Sequence, residues 1–280
     1  MTECTKVASG AQLNFDFELG KPVVGSFDGG LISSDGGLTL LRQVDRKLRL
    51  TEQMALCIAE KRRPDAVTHN IQQIIMQRLF AIGAGYEDVN DATVLRFDPM
   101  HKLAVGKLLS EADLASQPTI SRFENSVNET ELDFLQDLLV QLYVQQHRKP
   151  PQKLVLDLET TCDPVHGNQQ LSFFNGFYRT FCYIPLFVFD QDGFPLAALL
   201  RAGNAEVGGD AARVLRRILA ILRKAWPTIP IEFRADAAFC RREVYEVCET
   251  NRVTYYIGLK SNHALRCLAK PLVADAKKRI

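Results

Sequence analysis

No run of about 18 apolar residues occurs in this chain, so no stretch reads as a membrane-spanning helix. The opening residues, MTECTKVASGAQLNFDF, lack a basic segment followed by an apolar core, and no signal peptide is expected. Net charge is nearly absent as well. The 34 Lys and Arg residues against 33 Asp and Glu leave +1, so any nucleic-acid contact must rest on local patches. The seven cysteines are odd in number and form no Cys-x-x-Cys pair. That argues against a zinc ribbon and a disulfide framework, and for reduced thiols in the cytoplasm. A Gly-x-Ser-x-Gly elbow and a Walker-type lysine loop are both missing. Neither a serine nucleophile of that kind nor a bound nucleoside triphosphate is therefore expected.

What is present is an ordinary globular composition, 46% hydrophobic and 24% charged, in a 280-residue length that suggests two domains. Residues 1–30 are polar and glycine-rich and read as a flexible arm with short strands. Residues 31–150 read as a helical, DNA-binding domain. Residues 68–83 (THNIQQIIMQRLFAIG) set Ile71, Ile74, Ile75, Leu79 and Ile82 at helical spacing, with Gly83 and Gly85 as the stop. Helices are also expected over 38–48, 51–61, 101–109 and 129–146, the last ended by Pro150 and Pro151 at the expected domain boundary. Residues 116–125 (SQPTISRFEN) read like the start of a recognition helix. Thr119, Ser121 and Arg122 are its candidate phosphate contacts, with a surface turn as the alternative.

Beyond residue 151 the pattern changes to strands. They are expected over 153–159, 181–190, 194–202, 229–236 and 253–259, with helices over 208–226 and 241–250. The dipeptide Asp192-Gly193 marks a hairpin between the second and third strands. The order β-β-β-α-β-α-β predicts an antiparallel meander followed by parallel strands. This is the order of a ribonuclease-H-like fold, so the chain reads as α/β (α+β), a helical domain followed by a mixed sheet over 151–280. Residues 173–183 concentrate aromatic side chains. Packing within a hairpin is the expected role for most of them, base stacking the alternative. On the helix over 208–226, Arg216 and Arg217 belong to a basic face that is either a phosphate guide or a solvated surface.

The chemistry is carried by acids at strand tips. Residues 153–161 (KLVLDLETT) and 229–239 (IPIEFRADAAF) are apolar runs that end in carboxylate. Asp157 and Glu159 share one strand face, and Asp236 closes the second run. In the ribonuclease-H-like order these strand ends lie side by side. Such carboxylates suit hard divalent cations, Mg²⁺ or Mn²⁺. A complete site holds two ions about 3.5–4 Å apart, stabilising the attacking and leaving oxygens of a phosphodiester displacement. The acids alone leave open whether water or a DNA 3′-hydroxyl attacks.

Residues 157–169 (DLETTCDPVHGNQ), 172–178 (SFFNGFY), 233–239 (FRADAAF) and 256–259 (YIGL) closely resemble the DDE transposases of bacterial insertion sequences. The likeness runs from about residue 27 to about residue 265 and includes 84–91 (AGYEDVND) and 114–125. It implies a metal-dependent DNA transposase that nicks element ends and directs a 3′-hydroxyl onto target DNA. It also implies catalytic and metal-binding roles for Asp157, Glu159 and Asp236, with Mg²⁺ or Mn²⁺ as cofactor. Double-stranded DNA (terminal repeats and target) is the implied partner, bound by a homodimer, with no membrane involved. Which of Asp157 and Glu159 is the first acid stays open, because the resemblance favours the position of Glu159 but usually with Asp there. The family's third acid, a Glu on a helix well past the fifth strand, finds no match before Ile280, since Asp275 comes too early. The chain is thus expected to be the front part of a transposase. The alternative function is a catalytically incomplete DNA-binding fragment that acts as a remnant or inhibitor.

Overall fold

The computed structural model describes residues 32–206 and 208–278, together with the backbone of two short strands, β1 (Gln12–Phe15) and β2 (Val23–Ser26). These strands pair antiparallel, and the remainder of the expected N-terminal arm lies outside the described residues. The chain divides into two compact units, Met1–Glu131 and Leu132–Ile280.

The first unit carries α1 (Leu38–Leu48), α2 (Leu50–Leu56), α3 (Ile71–Gly83), α4 (Ala92–Leu95), α5 (Pro99–Val105) and α6 (Gln117–Glu124). α3 begins where Asn70 and Gln73 form a reciprocal capping box, and it buries Ile74, Ile75 and Phe80. α5 begins at Asp98, which accepts from Met100 and His101 backbone N–H groups, and stops at Gly106, whose φ of 89° suits glycine. The expected helix over 51–61 ends early, at Leu56. A tertiary bond explains this: the Ala59 N–H donates to Glu131 Oε1 at 3.0 Å instead of to a helical carbonyl.

α7 (Glu129–Gln146) follows, and its Val140 and Tyr143 belong to the same buried cluster as the strands beyond. Its packing therefore assigns it to the sheet, whereas the sequence placed it before the boundary. Next come β3 (Leu154–Thr160), β4 (Asp163–Pro164), β5 (Phe173–Asn175), β6 (Thr180–Tyr183), β7 (Leu186–Asp190) and β8 (Pro195–Leu199). α8 (Ala211–Ala225), β9 (Ile231–Ala235), α9 (Arg242–Thr250), β10 (Val253–Ile257) and α10 (His263–Lys278) complete the described chain. The five-stranded sheet has the order β10-β9-β3-β7-β8, parallel across β10, β9 and β3 and antiparallel across β3, β7 and β8. That is the expected mixed sheet, with the acid-bearing β3 at its centre. The run expected as one strand over 181–190 is split at Ile184 and Pro185. Its first half joins β4 and β5 in a separate three-stranded sheet of order β4-β6-β5.

The pleat sorts the sheet into two faces. Leu154, Leu156 and Leu158 of β3 point with Ile231 and Phe233 of β9 into the core, where α8 adds Leu215, Leu219 and Leu222. The opposite face of the same strands carries Asp157, Glu159 and Arg234.

Candidate active site

The register of β3 on β9 pairs Asp157 with Arg234 and Leu158 with Ala235. Continuing it by a residue sets Glu159 beside Asp236, where β9 ends. Residues 157–160 and 234–236 line an open cleft of about 370 Å³. Three expected acids thus meet in one place, but they are not equivalent. Asp157 is bound by Arg234, whose Nε and Nη2 donate to its two carboxylate oxygens at 2.5 Å each. Hydrogen bonding and charge from Asp157 hold the Arg234 guanidinium above its usual pKa. Asp236 accepts from the Ala238 N–H at 2.8 Å and so fixes the short turn Ala237–Phe239 at the strand tip. Glu159 is exposed and, among the described residues, its carboxylate has no hydrogen-bonding partner.

On the other side of β3, Phe189 pairs with Asp157 and Phe187 with Glu159. These two rings stack at 5.8 Å and 28°. The acid row therefore runs between an aromatic wall and the Arg234–Asp236 edge. Arg234 and the two phenylalanines were not singled out from sequence. The alternation of a strand is the signal that finds Arg234, since it must share a face with Asp236.

The fit of a metal ion follows from these contacts. Enzymes of the DDE class typically use divalent metal ions. Glu159 and Asp236 offer adjacent carboxylate oxygens of the kind a hard cation takes. Asp157 is paired with Arg234 through both of its carboxylate oxygens. Asp275 lies on α10, and no third acid joins Glu159 and Asp236 in a close group among the described residues. A different cluster, Asp35, Asp98 and His101, brings its ligand atoms within 4.8 Å of one another. Asp35 Oδ2 faces His101 Nε2 at 3.0 Å, and Asp98 Oδ1 accepts from Ser33 Oγ and two backbone N–H groups. Burial would raise the Asp35 carboxyl, but hydrogen bonds from His101, Ser34 and Tyr86 hold it below its ordinary range. These atoms form a polar tie within the helical unit.

The expected DNA contacts separate. Thr119 and Arg122 line a cleft of about 670 Å³ in the first unit, together with Lys61, Arg62, His69 and Arg96. Burial, then the positive charges of Lys107, Arg62 and Arg96, push the His69 pKa down. Lys61, Arg62 and Arg96 are paired with Glu131, Glu60 and Asp113, and Arg122 is exposed. Ser121 does not line it; its hydroxyl faces Asn125 Nδ2 at 3.4 Å along α6. In the second unit Arg217 departs from expectation. It donates to both Asp133 and Asp137, fastening α8 to α7, so it is a structural tie and not a phosphate guide. Arg216 is exposed and, among the described residues, has no ion-pair partner.

The sheet has the strand order expected of a ribonuclease-H-like fold, with carboxylates at adjacent strand tips. The chain belongs to the DDE transposase family, since residues 15–280 match the family described as Transposase DDE domain group 1. Among solved structures it is similar to the catalytic domain of Mos1 mariner transposase, at 14% identity and a TM-score of 0.27, over 49% of this chain and 64% of that one. It is similar to piggyBac transposase in a synaptic complex with hairpin DNA, at 11% identity and 0.33, over 80% and 51%. The Drosophila P element transposase strand transfer complex matches at 10% identity and 0.32, over 78% and 47%. The matched stretch thus spans about half to two-thirds of these proteins, 64%, 51% and 47% of their lengths. No curated protein matches the chain. No helix of the described residues is long and apolar enough to cross a membrane.

Proposed function

We propose that this chain is the transposase of a bacterial insertion sequence, acting in the cytoplasm on the terminal repeats of its element and on target DNA. The observation that carries the reading is that Glu159 of β3 and Asp236, just past the end of the neighbouring parallel β9, line one cleft, within a family of DDE enzymes. Glu159 and Asp236 hold the divalent cation, Mg²⁺ or Mn²⁺. Bound there, the cation supplies Lewis-acid stabilisation to a phosphodiester oxygen. Asp236 is oriented by the Ala238 N–H, which leaves its second oxygen for the ion. Asp157 serves this site indirectly, by fixing Arg234 in the cleft lining. Phosphates of duplex DNA meet Arg122 and Thr119 in the cleft of the helical unit, and Arg216 adds a contact from α8. A homodimer on paired element ends completes the assembly.

A second reading is favoured by the pairing of Asp157 with Arg234 and by the lack, among the described residues, of a third acid grouped with Glu159 and Asp236. In it the chain binds element ends without cutting them and inhibits a complete enzyme. One experiment decides between them: Mg²⁺- or Mn²⁺-dependent cleavage of a labelled duplex carrying the element's end, with Asp236→Ala as control. Cleavage abolished by that change supports the transposase. Binding without cleavage supports the inhibitor, and neither binding nor cleavage contradicts both.

A further inference from the structure

The three-stranded sheet turns its rings outward. Phe174 and Phe181 are cross-strand partners on β5 and β6 and stay 54% and 56% exposed, while Phe177 in the connecting turn is 86% exposed. The expected packing of these rings inside a hairpin is therefore not what forms. The reason lies on the other face of the same strands. There Cys182 is fully buried, Asn175 Nδ2 donates to the Gly203 carbonyl at 2.9 Å, and the Gly203 N–H donates to the Leu171 carbonyl. Alternation along β6 gives the inner face to Cys182 and the outer face to Phe181.

The exposed rings meet their neighbours edge-on and so leave flat faces open. Phe174 and Phe181 lie at 5.6 Å and 67°, and Phe177 and Tyr178 at 4.9 Å and 89°. Large exposed apolar rings grouped on one short sheet and its turn mark an interaction site. The charge of the segment narrows the occupant. Residues 164–189 contain no Asp or Glu, and Arg179 is their one formally charged side chain, held at the turn by a left-handed backbone with φ of 55°. A polyanion with flat apolar rings fits such a surface. The sheet also joins the acid-bearing strand along the chain. β4 follows directly from β3, the strand of Glu159, and the Thr161 N–H donates to the Pro185 carbonyl, joining the two returns.

We propose that Phe174, Phe181 and Phe177 form a stacking platform for unpaired bases of a DNA strand whose backbone reaches the neighbouring acid cleft. The source of that strand rests on the transposase reading above; the platform itself does not. Every base presents a π-face, so the platform accepts any sequence, and Arg179 meets a flanking phosphate.

The test uses the full chain and two oligonucleotide probes, one a flush-ended duplex and the other the same duplex with a short unpaired extension containing 2-aminopurine. The extension is expected to bind about tenfold more tightly than the flush end, with its fluorescence quenched on binding. Phe177→Ala and the pair Phe174→Ala with Phe181→Ala are expected to remove that preference, with the melting temperature unchanged because the rings are exposed. Phe177→Trp retains it. Flush duplex bound without preference for the extension overturns the platform and leaves the transposase reading standing. A preference kept by the alanine variants overturns the assignment to these rings. Loss of self-association in the variants, with DNA binding untouched, shows the face to be an interface between copies and overturns the proposal. No binding of either probe overturns both the platform and the DNA reading.

Discussion

Arg234 sits directly across the parallel pair from Asp157 and grips both of its carboxylate oxygens, while Glu159, on the same strand face, stays exposed. Two acids with identical spacing along a strand thus acquire different roles from one neighbour. Removing that neighbour has a defined consequence. Arg234→Ala takes a positive charge from the cleft, and Mn²⁺ binding is expected to tighten by about three- to tenfold. Thermal stability should fall by no more than about 1 kcal/mol, since the arginine of the pair is half-exposed. A metal titration that finds unchanged affinity would contradict the role given to Arg234.

Gly203 is held where no side chain fits. A Cβ there would overlap the carbonyl oxygens of Cys182 and Phe173, which are backbone atoms and cannot swing aside. Gly203→Ala is expected to cost about 1–3 kcal/mol, as overpacking does. The loss should localise to the three-stranded sheet. Limited proteolysis is the readout, with new cleavage expected between residues 163 and 183. Wild-type resistance there would refute the close approach.

Much of this was legible from sequence for a simple reason. β3, β9 and β10 are apolar runs bounded by breakers, and their order with α8 and α9 leaves few ways to build a sheet. The strand-tip acids were legible because period-two alternation is local. Partners across strands were not: register alone sets Arg234 beside Asp157. Arg217 looked like a phosphate ligand because sequence shows a basic helix face but not the Asp133 and Asp137 opposite it. The fate of residues 181–185 was hidden for a related reason. A continuous apolar run reads as one strand, and only the partner strands reveal that it serves two sheets.

The two arginines of α8 should behave oppositely. Arg217→Ala breaks the tie to α7 and is expected to lower stability by about 1 kcal/mol, with little effect on DNA affinity beyond it. Arg216→Ala should leave the melting temperature unchanged and reduce the salt slope of DNA binding by about one ion. Unfolding curves and salt titrations of both variants separate these outcomes.

Glu131 makes the helical unit acid-sensitive. Hydrogen bonds from Lys61 Nζ and the Asn128 and Ala59 N–H groups pull its carboxyl from 4.5 down to about 2. A depressed folded pKa gives stability that is complete above the unfolded value and lost as pH falls from 4.5 through about 2. Glu131→Gln is expected to be less stable than wild type at neutral pH, with the gap closing across that window. Denaturant unfolding at several pH values checks this, and a gap independent of pH would contradict it.

The central claim is that Glu159 and Asp236, not Asp157, hold the metal. The direct measurement is Mn²⁺ binding followed by electron paramagnetic resonance for the wild type, Glu159→Gln, Asp236→Asn and Asp157→Asn. The account predicts that the first two substitutions each weaken binding by about a hundredfold, about 2.7 kcal/mol each, while Asp157→Asn, which removes a charge from the cleft but no ligand, weakens it by no more than about three- to tenfold. Loss of binding in Asp157→Asn with Glu159→Gln unaffected would contradict it and return the first acid to Asp157.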